Sequence, residues 1–324
     1  MAITLVILLI LSAIFLAAWL IFRKAFYSPP RKHPTMDDPL QGEEYEAAAE
    51  HLHRVSHIMA RYPFEAVTIS ASDGTPLFAR YYHMRDGAPV QILFHGYRSC
   101  AFRDCSGGHS LARKLGLNTL VIDQRAHGKS GGTVITFGIK ERQDCLRWAE
   151  YAYKRFGKEA PLILSGLSMG AATVLMASEL DLPESVAAII ADSPYSTPAA
   201  IIEKVASDMH YPPALCRPFI HLSALLYGGF RLNECNAKDA VSNTKIPILL
   251  IHGETDRLVP CSMSAQIQAS GSGRIDLVTF PGAGHGLSYL TDPLRYEQSI
   301  FDFLRSIPSL RSHLPAELPS RKET

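Results

Sequence analysis

The chain has 324 residues, 47% hydrophobic and 19% charged, which excludes a disordered main body and leaves room for one large α/β domain. With 32 basic and 31 acidic side chains the net charge is +1, so no global field draws it to nucleic acid or to strongly acidic substrates. Its six cysteines (Cys100, Cys105, Cys145, Cys216, Cys235 and Cys261) show no CxxC pair, a spacing that fits neither a zinc site nor a dense disulfide framework.

Residues Ala2 to Phe22 carry no charge and are rich in Leu, Ile, Ala and Val. As a helix rising ~1.5 Å per residue, the segment would cross the ~30 Å hydrocarbon core of a bilayer. No basic stretch precedes it and no small-residue cleavage site precedes Arg23, so a membrane anchor over 1–24 is expected rather than a cleaved signal peptide. Arg23, Lys24, Arg31 and Lys32 follow the anchor while no basic side chain precedes it, and the positive-inside bias then puts the rest of the chain in the cytoplasm.

Tyr27 to Pro34 is proline-rich and basic and reads as an extended linker. Asp38 to Tyr62 has helical spacing and carries His51, His53 and His57; with no carboxylate or cysteine completing a ligand set, these read as a solvated face. Linker and helix together make a juxtamembrane segment over 25–63.

From Phe64 the pattern becomes β-rich. Glu65–Ser70 and Leu77–His83 flank the turn signal Asp73-Gly74 and predict a hairpin. Near-continuous apolar runs follow at Val90–Phe94, Thr119–Ile122, Leu162–Leu164, Val186–Ile190, Ile246–Ile251 and Ile275–Phe280, separated by helical stretches. Strands of that kind belong to a parallel sheet covered on both faces. The main domain is expected over 64–310, with a tail over 311–324. Between Pro194 and Lys245 helical patterning and apolar side chains, Leu225 and Tyr227 among them, interrupt the rhythm. A structureless loop of that length is improbable, so a helical lid is expected over about 195–245.

Leu162-Ile-Leu-Ser-Gly166-Leu-Ser168-Met-Gly170 places GxSxG between a strand and a helix. Its glycines allow the sharp turn that exposes a serine hydroxyl at the sheet edge, so Ser168 is the candidate nucleophile. A serine needs a base to take its proton; His285, in a glycine loop after the last strand-like run, is the candidate. Asp256, in the loop after the penultimate strand, would hold the imidazole tautomer. The turn at His95-Gly96-Tyr97 can supply the N–H of Tyr97 to join that of Met169 as an oxyanion hole, with His95 structural. Asp192 and Glu254 are the competing acids. Gly128-Lys129-Ser130 lacks the earlier glycine of a phosphate loop, since Asp123 stands there, and nucleotide binding is excluded.

These motifs, together with Asp123-Gln-Arg-Ala-His-Gly128-Lys-Ser and Asp192-Ser-Pro, resemble the α/β-hydrolase superfamily over about residues 64 to 306. The nearer likeness is to its lidded serine esterase, monoacylglycerol-lipase-like and aminopeptidase-like branches. The resemblance implies an α/β-hydrolase fold, a mostly parallel sheet with an inserted helical lid, and a structural turn at Asp123–Ser130. The expected reaction is hydrolysis of an ester or thioester of an apolar acyl group, on a small-molecule or lipid-like substrate at the membrane, through an acyl-enzyme and without metal or organic cofactor. A peptidase or amidase of the same fold and a catalytically silent membrane-bound module are the rivals.

Overall fold

The structure is a computed structural model, and it describes residues 1–30, 33–38, 42 and 45–320. Among these, eight strands form one sheet: β1 Glu65–Ser70, β2 Pro76–Tyr82, β3 Val90–Phe94, β4 Asn118–Asp123, β5 Leu162–Leu167, β6 Val186–Asp192, β7 Ile248–Gly253 and β8 Ile275–Phe280. Their order is β1-β2-β4-β3-β5-β6-β7-β8. β1 and β2 form the antiparallel hairpin, β2 joins β4 antiparallel, and all later pairings are parallel.

The apolar runs have this outcome because alternate side chains serve opposite layers. Leu164 of β5, Ile189 of β6 and Leu250 of β7 enter one core. Their chain neighbours Ile163, Ile190 and Leu249 enter the other, against Ile300, Phe303 and Leu304 of the helix Pro293–Arg305. Each such side chain, fully removed from water, contributes ~1.5–3 kcal/mol before the entropy of ordering it. The helix Met169–Ala177 is buried along its whole length. That explains its sequence of small and apolar residues, in which the one polar side chain, Thr173, donates to Met169 O at 2.9 Å, and it fixes the residue that precedes it.

The segment expected to be an anchor is a helix over Ala2–Ile21 that continues as a π-helical turn over Phe22–Phe26. It is long and apolar enough to cross a membrane. Tyr27 is extended, with φ −83° and ψ 125°, but the residues at this junction are no free tether. Phe26 is fully buried, with its ring edge-on to Phe137 and Phe230. The backbone N–H of Ile135 donates to Phe26 O at 2.8 Å, that of Ser28 donates to Thr133 O at 2.8 Å, and Tyr27 bridges Val134. Composition could not show this, because the pairing depends on a loop a hundred residues away.

The insertion is helical over Pro198–Asp208 and Pro213–Ser223 and continues as a π-helical turn over Ala224–Gly228. Local chemistry starts the first of these: Thr197 Oγ1 accepts from Ala200 N at 3.0 Å, and Pro198 occupies the first turn, where its missing N–H costs nothing.

Candidate active site

Ser168 stands between β5 and the buried helix with φ 55° and ψ −115°, a conformation that costs a non-glycine residue energy and that the surrounding packing must enforce. Its N–H donates to Asp192 O at 2.8 Å. A Cβ on Gly166 would lie 2.2 Å from the carbonyl carbon of Gly170, and one on Gly170 would lie 2.2 Å from Phe94 O. Both obstacles are backbone, so the flanking glycines are sterically required.

His285 Nε2 lies 2.9 Å from Ser168 Oγ, and His285 Nδ1 lies 2.7 Å from Asp256 Oδ2. In the neutral ring that geometry puts the proton on Nδ1, donated to Asp256, and leaves Nε2 to accept from the serine hydroxyl. Asp256 Oδ1 is occupied by the N–H groups of Leu258 at 2.9 Å and Val259 at 2.8 Å. Burial alone would raise its pKa, but His252, His285 and the Val259 amide outweigh it and hold the carboxyl at about 2. His252 is itself fixed, with Nδ1 2.7 Å from Ser264 Oγ and Nε2 2.8 Å from Val259 O and 3.3 Å from Asp256 Oδ2.

The competing acids point elsewhere. Asp192 is bound by Ser193 Oγ at 3.0 Å and by the Tyr296 hydroxyl at 3.0 Å, and burial raises its pKa. Glu254 accepts from Thr279 Oγ1 at 2.7 Å.

The N–H groups of Tyr97 and Met169 have no acceptor among the described residues. Gly96 carries the loop over the serine: a Cβ there would meet Ser168 Cβ at 3.4 Å and Asp104 Oδ2 at 3.1 Å. Asp104 holds the loop by accepting from Gly96 N at 2.8 Å. The Tyr97 ring stacks on Phe137 with centroids 4.9 Å apart, and its hydroxyl donates to Ala25 O at 2.8 Å. Burial raises that hydroxyl to about 12, so it stays a donor. The loop carrying the Tyr97 amide is therefore attached to the end of the apolar N-terminal helical segment.

His95 is buried and structural. Its Nε2 accepts from Gln124 N at 3.1 Å and its Nδ1 donates to Gly96 O at 2.8 Å, while burial lowers its pKa. The Asp123–Ser130 turn is structural as well. Arg80 binds Asp123 at 2.8 and 3.2 Å, Arg125 grips Asp144 through two contacts of 2.6 Å, and Asp123 Oδ2 takes the N–H of Lys129 at 2.9 Å, leaving no open phosphate cradle.

Beside Ser168 and His285 lies a cavity of about 310 Å³, lined by Leu52 and Val55 of the helix Glu46–Arg61, and by Leu111, Ile190, Leu290 and Ile300 among others. No residue of 195–245 lines it. The expected lid is thus helical but does not shape this cavity, and the helix Glu46–Arg61 takes that place. Tyr45, just before that helix, donates its hydroxyl to His285 O at 3.0 Å. Nothing in the sequence marks Tyr45 or Tyr296, because each acts through contacts distant along the chain, and no motif marks Asp104, which binds Gly96 only eight residues away.

On the outer face of the same helix Asp37 joins His53 and His57. His57 Nε2 lies 2.8 Å from Asp37 Oδ1 and 3.0 Å from His53 Nε2. The carboxylate missing from the sequence pattern is thus present, and a hydrogen bond donated by His57 accounts for the contact.

The family model described as "Alpha/beta hydrolase family" matches residues 91–298. The chain therefore belongs to the alpha/beta hydrolase family and is a hydrolase. It is similar to the uncharacterized protein YqkD of Bacillus subtilis, 24% identical over 226 residues that cover 69% of this chain and 74% of that one. An uncharacterized protein of Mycobacterium tuberculosis is 26% identical over 230 residues, 70% of this chain and 74% of the relative. Among solved structures it is similar to an esterase of Pyrococcus furiosus, with TM-score 0.64 and 21% identity over 87% of this chain and 98% of the other. Est1E of Butyrivibrio proteoclasticus, solved with ferulic acid, has TM-score 0.59 and 22% identity over 75% and 99%. These structures share the fold.

Proposed function

We propose that this chain is a membrane-anchored serine hydrolase that cleaves esters of apolar acyl groups, with Ser168 as nucleophile, His285 as general base and Asp256 as the acid that orients it. The observation that carries the proposal is the relay from Ser168 Oγ through His285 to Asp256, at 2.9 and 2.7 Å, on a backbone held in a strained elbow. In the reaction Ser168 Oγ bonds to the substrate carbonyl carbon as its proton passes to His285 Nε2. The Tyr97 and Met169 amides receive the developing oxyanion, whose charge exists only in the transition state and intermediate. His285 then returns the proton to the leaving alcohol as the C–O bond breaks. Water, deprotonated by the same imidazole, opens the acyl-enzyme.

The apolar lining at Leu52, Val55, Leu111 and Ile190 favours an acyl chain over a charged peptide. Two structural neighbours, the Pyrococcus esterase and the ferulate-bound Est1E, support an ester as substrate. In this reading 1–24 is the anchor, 25–63 the juxtamembrane segment and 64–310 the hydrolase domain, which the basic residues after the anchor place in the cytoplasm; digestion of the domain by protease added to intact cells would overturn that orientation.

The full-length protein should react with a fluorophosphonate and hydrolyse p-nitrophenyl esters faster than aminoacyl anilides, and Ser168→Ala should remove both activities while staying folded. Anilides preferred over esters would point to an amidase, and a folded wild type inert to the probe would point to a silent module.

A further inference from the structure

The insertion that fails to line the cavity is packed on the anchor instead. On the helix Ala2–Ile21 only one stripe is shielded from solvent: Ile14, Ala17, Ala18 and Ile21, continued by Phe22. These positions are spaced i, i+3, i+4, i+7 and i+8, one face of a helix, and the small alanines at its centre allow another helix to approach closely. The helix Pro213–Ser223 occupies that face. Just after it, the Tyr227 hydroxyl donates to Phe15 O at 3.2 Å, and the Tyr227 ring sits 5.8 Å from that of Phe22.

Length turns this contact into a statement about depth. The whole helix, 20 residues, is ~30 Å long, about the thickness of the hydrocarbon core. The stretch from Ile14 to Ile21 that the insertion covers is ~10 Å of it. Were the insertion in water, only Ala2–Ala13 would remain for the membrane, ~18 Å, which is too short to span. The two helices are packed together, so if one spans the bilayer the other is inside it.

The surfaces agree. On the insertion itself, Leu215 is 68% exposed, Leu225 49% and Leu226 46%. The one arginine of the segment, Arg217, is held by both oxygens of Glu203, each at 2.8 Å, which relieves the cost of carrying its charge toward lipid. The boundary is marked by Arg23, whose guanidinium lies over the rings of Trp19 at 5.6 Å and Tyr27 at 4.4 Å, the pairing of basic and amphipathic aromatic side chains found at membrane surfaces.

We propose that Pro213–Gly228 is embedded in the hydrocarbon of the near leaflet beside the anchor, to a depth of ~10 Å, so that the domain is a partly immersed body rather than one tethered above the surface. Its partner is the lipid itself. Because Tyr97 is bound to Ala25 O, the candidate oxyanion loop then sits at the level of the headgroups, and the substrate class is an ester resident in the bilayer. The proposal rests on the reading of Ala2–Ile21 as a membrane span, and the experiment separates the two.

The chain has two tryptophans, Trp19 and Trp148, the second fully buried. The full-length protein is reconstituted in phosphatidylcholine vesicles whose acyl chains are brominated near the headgroup end, and quenching is read for wild type, Trp19→Phe, Trp19→Phe/Leu225→Trp and Trp19→Phe/Leu226→Trp. Immersion predicts that Trp19→Phe alone leaves an unquenched signal from Trp148. Each leucine-to-tryptophan variant should then restore a blue-shifted emission quenched as strongly as that of Trp19. Quenching of Trp19 with no quenching of either new tryptophan overturns the immersion and leaves the anchor standing. Loss of quenching at Trp19 as well overturns the anchor and the proposal together. Using two neighbouring sites, each with its circular dichroism checked, guards against a single substitution that fails to fold.

Discussion

Asp256→Asn removes one charge and adds one donor, and the structure dictates which way the new amide turns. The Oδ1 position faces two backbone donors, Leu258 N at 2.9 Å and Val259 N at 2.8 Å, so the amide oxygen must occupy it. The NH₂ group is then left opposite His285 Nδ1, 2.7 Å away in the wild type. Two donors cannot face each other there, so the imidazole must carry its proton on Nε2, aimed at Ser168 Oγ, and cease to be a base. The imidazolium formed during the reaction also loses its counter-charge. In serine proteases that lose the same acid the rate falls ~10⁴-fold, which is about 5.5 kcal/mol of transition-state stabilisation. Turnover of a p-nitrophenyl ester should fall by about that factor, and fluorophosphonate labelling should slow with it, while the melting transition stays cooperative. Asp192→Asn and Glu254→Gln, whose carboxyls bind Tyr296 and Thr279 rather than His285, should be milder. A folded Asp256→Asn within tenfold of wild type would refute the reasoning, as would an Asp192→Asn as inactive as Ser168→Ala.

Gly170→Ala should fail to fold or melt far below wild type, because its Cβ would stand 2.2 Å from Phe94 O and β3 cannot retreat; a normal melting curve would contradict the packing described. Asp256 has its carboxyl pulled down to about 2 from an ordinary 3.8, so its contribution is present above the ordinary value and is lost as pH falls from about 4 through about 2, an amount of about 2 kcal/mol. Denaturant titrations should therefore show a steeper acid loss in wild type than in Asp256→Asn, and equal slopes would count against the depressed carboxyl. Leu290→Trp, which fills the cavity, should shift the preferred ester to shorter acyl chains, each excluded methylene forfeiting ~0.8 kcal/mol. Leu225→Trp should leave the chain-length profile unchanged, and a shift there instead would restore the insertion as a pocket wall.

The sheet is legible in the sequence because burial on both faces demands near-continuous apolar strands, and Val, Ile, Leu and small residues dominate β3 to β7. Ser168, Asp256 and His285 are legible for a different reason. Each lies just beyond the carboxyl end of a strand, where a short loop has few places to go, so position along the chain nearly determines position in space. The choice between His95 and His285 cannot be settled that way, since both follow strands. It is geometry that separates them: the His95 ring is closed between Gln124 N and Gly96 O, whereas His285 Nε2 faces the serine.

The insertion is harder to place because its composition supports two partners equally well. Apolar helices between strands β6 and β7 can cover a substrate cavity or an apolar neighbour, and hydropathy does not distinguish the two. The deciding residues lie at the other end of the chain, where Ala17 and Ala18 interrupt a run of larger apolar residues. In a bare membrane helix they would only reduce its hydrophobicity; against Pro213–Ser223 they are what lets the backbones approach. Once the insertion is committed to the anchor, the cavity needs another wall, and the helix Glu46–Arg61 supplies it with Leu52 and Val55. The same packing brings Ala25 under Tyr97, so the apolar N-terminal segment, the proposed anchor, also braces the loop that carries the Tyr97 amide. Replacing the first 28 residues with a soluble tag would therefore remove a support of that loop as well as the proposed attachment to lipid.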